Sequence, residues 1–296
     1  METPERASSS ASPNQSPIRA SPSPLPPSSD TRLWRPKAAR NLRNQWEKLE
    51  ISRSQWVSSS SDGRSHATSL VKAYVSLKSI DSMQLGVLND MPDIRKKAHA
   101  KLFKQQEVYR SKLLSSYKAM VKTVGDMVTA SKSMRCYVQG SSSLLQFSIS
   151  SDDSNDPGDG GGIPVFMFLP ISSHEQLAEE LVQMFIFELN LKRLLVMELL
   201  AIDSEVQGNS ELCWSNALYP TEFDELSLCS LYSKETCELV PPSLIEGKSN
   251  KPSMKFKSDL KSDTLEVCLT TWRAEVNIDS QRVDEIFAIA REEWAR

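Results

Sequence analysis

The sequence predicts an all-α fold: an elongated bundle of three long helices with shorter helices toward the C-terminus. Three observations predict it. Leu42, Trp46, Leu49, Arg53, Trp56, Ser60, Gly63, Ala67, Leu70, Tyr74 and Leu77 recur at alternating spacings of four and three, which is a heptad seam. A second stripe follows at Leu113, Tyr117, Met120, Val124, Met127 and Met134, widened by Leu114, Val121 and Val128. A helix with so broad a stripe touches more than one neighbour. The third segment, residues 181–202, is apolar almost all round and belongs at the centre of such a bundle.

The first helix is expected over 36–82. Its Ser58–Ser61 run and Gly63 read as a loop by composition. Yet the apolar residues on both sides keep one register, which a loop of arbitrary length would lose, so a continuous helix is expected there. Residues 82–90 connect to a second helix over 92–138, with Asn89 or Asp90 as its cap and Pro92 in its first turn. Residues 139–163 form a flexible loop, acidic and Gly-rich over 151–162, with room for a short strand at 144–149 or 165–169. Ser173 with Gln176 makes a capping box for the third helix, 174–203. Glu188 and Lys192 stand at i,i+4 there, and that spacing predicts a solvent-facing strip.

Beyond it, Thr221 with Asp224 starts a short helix through about residue 232, and a linker occupies about 240–262. Asp263 with Glu266 caps a helix bearing Leu265, Leu269, Trp272 and Val276. Asp279 caps the last helix, which has Val283, Phe287, Ala290 and Trp294 on one face. The chain thus divides into a disordered Ser/Pro-rich tail (1–30), a helical bundle interrupted by the 139–163 loop (31–205), and shorter acidic helices (206–296). The tail holds nine Ser and seven Pro, too little apolar surface to offset its ordering entropy. Within it, Ser16-Pro17-Ile18-Arg19 fits a proline-directed kinase site, so Ser16 is a candidate phosphorylation site.

Charge is divided between the halves. Residues 31–140 carry 21 Lys/Arg against 8 Asp/Glu, a net of +13; residues 141–296 carry 12 against 27, a net of −15. Such halves attract each other or oppositely charged partners. Arg32, Arg35, Lys37, Arg40 and Arg43 read equally as an import signal, a nucleic-acid contact or a solvated helix start. The five cysteines form no CxxC pair and no disulfide framework, and no apolar leader opens the sequence, so cytoplasm and nucleus are the expected locations. Residues 181–202 contain Glu188, Lys192, Arg193 and Glu198, too many charges for a membrane span.

No catalytic residues, metal site or cofactor are expected. Of His66, His99 and His174, only His66 has a carboxylate at helical ligand spacing, Asp62, short of the three or four ligands zinc needs. The Gly-Asp-Gly-Gly-Gly run at 158–162 lacks the Lys-Ser/Thr of a phosphate cradle and is acidic. Binding is the remaining theme. A helix apolar on every side must be enclosed, and whatever its neighbours leave open marks a partner site. Phe185, Phe187 and Leu191 are therefore expected to divide between core and partner contact. Trp294, third from the end, is the other candidate contact. Trp34 alone sits among basic residues, a thin signal for nucleic-acid stacking.

The order of certain motifs resembles the AIRIM family of ribosome maturation factors. It begins at the Trp56 helix with Leu70, Tyr74 and Leu77. It continues through Pro92-Asp93-Ile94-Arg95 and Val124-Gly125-Asp126-Met127-Val128 to Leu191-Lys192-Arg193-Leu194-Leu195, covering about residues 45–205. The resemblance implies a non-enzymatic adaptor that joins an Afg-type AAA ATPase and a companion adaptor protein. That complex acts on the large ribosomal subunit precursor and is linked to chromatin and replication. The Ser/Pro tail, the Gly-rich loop and the 240–262 linker depart from the family pattern. Two other readings stay open: a structural coiled-coil component of the spindle, kinetochore or meiotic apparatus, and a nucleic-acid-binding protein that uses the basic half.

Overall fold

The seam closes without a break. The computed structural model describes residues 29–139, 146–148, 158–202, 213–243 and 262–295. Its first helix, α1 (Ser29–Ser79), runs 51 residues, about 75 Å at helical rise, straight through 58–63. Ten of the eleven seam positions are buried, Ser60 and Gly63 among them; Arg53 is half-buried. The serine run stays helical, and its two buried hydroxyls find partners: Ser59 Oγ donates to the Gln55 carbonyl at 2.9 Å and Ser60 Oγ to the Glu275 carboxylate at 2.7 Å. The helix opens at Ser29, so the last two residues of the expected tail belong to it; residues 1–28, with Ser16, lie outside the described residues.

The second helix, α2 (Ile94–Lys132), lies against α1. Neither Asn89 nor Asp90 caps it. Asp93, left-handed at φ 61°, precedes the first turn without a side-chain cap bond. The turn is held instead by Arg95, whose guanidinium donates to the carbonyls of Met83 (2.7 Å) and Asp81. The helix ends six residues before the expected 138. The Asn41 side-chain amide draws off the carbonyls of Ser133, Met134 and Arg135 at 2.8–3.3 Å, and the chain leaves as a strand. That strand, β1 (Tyr137–Gln139), pairs antiparallel with β2 (Gln146–Ser148), within the 144–149 segment where a strand had room; Val165–Leu169 forms none. Of the part of the Gly-rich loop that is described, 158–160 packs against the bundle, whereas Gly161 and Gly162 are exposed. Gly160 sits at φ 67° so close to Trp34 that a Cβ would fall 2.1 Å from the indole.

The third helix, α3 (Ile171–Leu200), starts three residues early. Ser173 and His174 both donate their N–H to the Pro170 carbonyl, which places Ser173 inside the first turn and removes the capping box. The helix is central, as its composition predicts. After it come α4 (Glu222–Leu228), a hairpin of β3 (Tyr232–Ser233) and β4 (Glu238–Leu239), α5 (Ser262–Ala274) and α6 (Ser280–Glu292). Ser230 at φ 57° turns the chain out of α4 before the expected end at 232. Asp279 caps α6 as predicted, accepting from the N–H groups of Gln281 and Arg282. Trp272, Val283 and Phe287 join the same core as Trp34, Leu113 and Leu181. The two charged halves meet at Arg53–Asp284 (2.7 Å), Arg135–Glu175 (2.7 Å) and Arg291–Glu50. The expected linker falls largely at 244–261, outside the described residues.

Candidate protein-binding surface

Glu188 and Lys192 are not on a solvent-facing strip; both are fully buried. Favourable i,i+4 spacing predicts that two charges meet, not which face they meet on, and α3 is buried on most of its faces. Their ion pair is 3.0 Å long. Lys192 also donates to the Trp272 carbonyl and lies 4.9 Å over the Trp272 ring. Burial lowers its pKa, and the Glu188 carboxylate works against that shift. Glu188 accepts from the Asn277 N–H and side-chain amide at 3.1 and 3.3 Å. Trp272 Nε1 in turn donates to the Ser60 carbonyl at 3.0 Å, and the Ser60 hydroxyl to Glu275 at 2.7 Å. The pair therefore fastens α5 and the α5–α6 turn to α3, and Trp272 and Glu275 tie them on to α1.

A second buried pair does the same for residues 213–222. Arg193 donates to both oxygens of Glu222 (2.8 and 3.5 Å) and to the carbonyls of Trp214 and Asn216, with the Trp214 ring 4.5 Å away. Glu222 also accepts from Tyr117 Oη at 2.8 Å. Burial first, and that carboxylate second, raise the Tyr117 pKa. Both charged residues of the Leu191–Leu195 motif are thus consumed inside the fold.

What α3 leaves open is narrow. Phe185 is core, 2% exposed, its ring set edge-on to Trp56 at 5.4 Å. Phe187 and Leu191 are half-buried, and so are Leu194 and Glu198. Spacings of four, three and four put these four on one helix face. Of the three α3 residues expected to share the work, Phe187 and Leu191 line this strip and Phe185 does not. Leu194 is the member the sequence reading missed; its spacing of three from Leu191 was the available signal.

Trp294 belongs to a different place. It is half-buried against Phe166, with ring centroids 5.5 Å apart, and Phe166 meets His174 near the start of α3. His174 and Phe187 are thirteen residues apart, roughly 20 Å along the helix, so Trp294 does not join the strip. Its neighbour Glu293 is buried and accepts from three successive N–H groups, Met167, Phe168 and Leu169, at 3.1–3.2 Å. That clamp presents Phe168, 72% exposed, to solvent. Nothing in the spacing of Glu293 announced it. The basic-flanked Trp34 is no stacking platform: it is 2% exposed and donates to the Cys136 carbonyl at 2.7 Å.

His174 is a core residue, accepting at Nδ1 from Trp46 Nε1 at 3.3 Å, and burial lowers its pKa to about 4. Among the described residues no three His, Cys, Asp or Glu side chains are grouped to hold a metal ion, and no helix is long and apolar enough to cross a membrane. No family model, no curated protein and no solved structure matches the chain.

Proposed function

We propose that this protein is a non-enzymatic helical adaptor and that the Phe187–Leu191–Leu194 strip is where it takes a protein partner. The observation that carries this reading is the strip itself. It is the half-open face of a helix whose other apolar positions are largely enclosed, and half-open apolar positions on a rigid helix are the geometry of helix-to-groove recognition. The buried ionisable pairs support the same reading, since Glu188, Lys192, Arg193 and Glu222 are occupied in joining segments. The coiled-coil alternative loses its main motive, because the heptad seam is spent inside the chain, and the nucleic-acid alternative loses Trp34. The partner proposed is an Afg-type AAA ATPase, acting with a companion adaptor on the large ribosomal subunit precursor or on chromatin in cytoplasm and nucleus. That part rests on the motif resemblance in the sequence. Phe187→Asp, expressed in cells, tests it. The variant is expected to fold, by circular dichroism, and to lose co-purification of the ATPase. Folding with the ATPase still bound would remove the strip from the account.

A further inference from the structure

Among the described residues, the hairpin of α1 and α2 extends past the other helices. Arg110 donates to the carbonyl of Ile202, just past the C-terminal end of α3, and Gln106 is the first residue of α2 that is buried. Ile94 to Arg110 is about 24 Å of helix. Over that length Ile94, Leu102, Phe103 and Tyr109 are only half-buried. At the tip, Met83 (58%), Val87 (92%), Leu88 (43%) and Met91 (52%) lie exposed within nine residues. The tip is shaped in advance: the Arg95 guanidinium holds the Met83 carbonyl, and Leu88, Asn89 and Met91 each close a backbone turn at 2.9–3.1 Å. The flank is basic. Between residues 72 and 104 seven Lys/Arg stand against three Asp. Among the described residues none of Lys72, Lys96, Lys97, Lys101 and Lys104 is within ion-pair distance of a carboxylate.

We infer that this end of the hairpin is a second docking arm, which inserts Met83, Val87, Leu88 and Met91 into an apolar groove rimmed by carboxylates on an acidic protein. The apolar tip selects a protein over a nucleic acid: a phosphate backbone rewards the lysines but offers nothing to bury two methionines, a valine and a leucine. Unpaired lysines beside the tip select an acidic rim and speed encounter with it. Methionines suit such an arm because their flexible side chains fill grooves of irregular shape. The arm lies apart from the α3 strip and does not depend on its reading.

The test places a photocrosslinking benzoylphenylalanine at Val87 of the full chain in cells and sequences the linked peptide. The linked protein is then purified and titrated with the wild-type chain, with Val87→Asp and with Lys97→Glu/Lys101→Glu/Lys104→Glu. The expected result is one protein, linked through a segment rich in Asp and Glu. Each variant should bind it at least tenfold more weakly with its melting temperature unchanged, and raised salt should weaken the wild-type complex. Crosslinks to RNA, DNA, lipid or a second copy of this chain, or none at all, would overturn the proposal. So would a linked protein whose affinity ignores both variants.

Discussion

Gly63 of α1 lies against the Trp272 indole of α5, so close that a Cβ at Gly63 would stand 2.6 Å from Trp272 Cζ2. A glycine in mid-helix costs up to about 1 kcal/mol relative to alanine. Here it is what lets an indole settle against the α1 backbone and donate to the Ser60 carbonyl.

Gly63→Ala is therefore expected to lower stability by about 1–3 kcal/mol despite the better helix propensity, because the added methyl overpacks the indole site. Gly125→Ala in α2 is the control. It too is helical and buried, but a Cβ there meets nothing within 4 Å, so a gain of about 0.5–1 kcal/mol is expected. Urea melts of the two variants should shift in opposite directions.

Replacing Lys192 with Met leaves the Glu188 carboxylate buried without its cation. A loss of about 3–5 kcal/mol is expected. Lys192→Met/Glu188→Gln removes the charge, keeps an acceptor for the Asn277 N–H, and should recover most of that loss. A double-mutant cycle by denaturant melts measures both; independent, additive losses would contradict the coupling.

How far the sequence was legible depends on where each signal resides. Periodicity is a property of one helix, so the seam from Leu42 to Leu77 could be read, even through Ser60 and Gly63. The closeness of Gly63 to Trp272 could not, because it joins residues 209 positions apart. Periodicity is silent on an all-round apolar helix: it could not say that Glu188 and Lys192 face inward or that Phe185 is core while Phe187 is not. One helix end was misread because a long-range group decided it, the Asn41 amide at the end of α2; others, such as the start of α3 at Pro170 and the turn at Ser230, were set by local backbone that the residue pattern did not announce. The Asp279 cap, closed within three residues, was read correctly.

His174 supplies a pH dependence. Its folded pKa, about 4, lies below the ordinary value of 6.5, because burial disfavours the imidazolium; the Glu293 carboxylate opposes this only in part. Between those values the unfolded chain binds the extra proton. The folded state therefore keeps its full advantage above about pH 6.5 and loses it progressively toward pH 4, by roughly 3 kcal/mol. Chemical denaturation across this range, compared with His174→Gln, should show a shallower acid slope for the variant.

Gln106 is 1% exposed, and among the described residues neither its Nε2 nor its Oε1 has a partner. A buried amide left unbonded costs about 1–3 kcal/mol, and an apolar residue of similar shape avoids that cost. Gln106→Met is expected to raise the melting temperature. A lower one would mean that the amide is satisfied in solution.

The most direct test of the adaptor reading is a titration of the purified chain against a purified Afg-type AAA ATPase with its companion adaptor. The measured pair is the wild-type chain and the folded variant Leu191→Asp/Leu194→Asp. The prediction is a stable complex for the wild type and at least a hundredfold weaker binding for the variant. No complex with the wild-type chain, or equal affinity for the two, would contradict it.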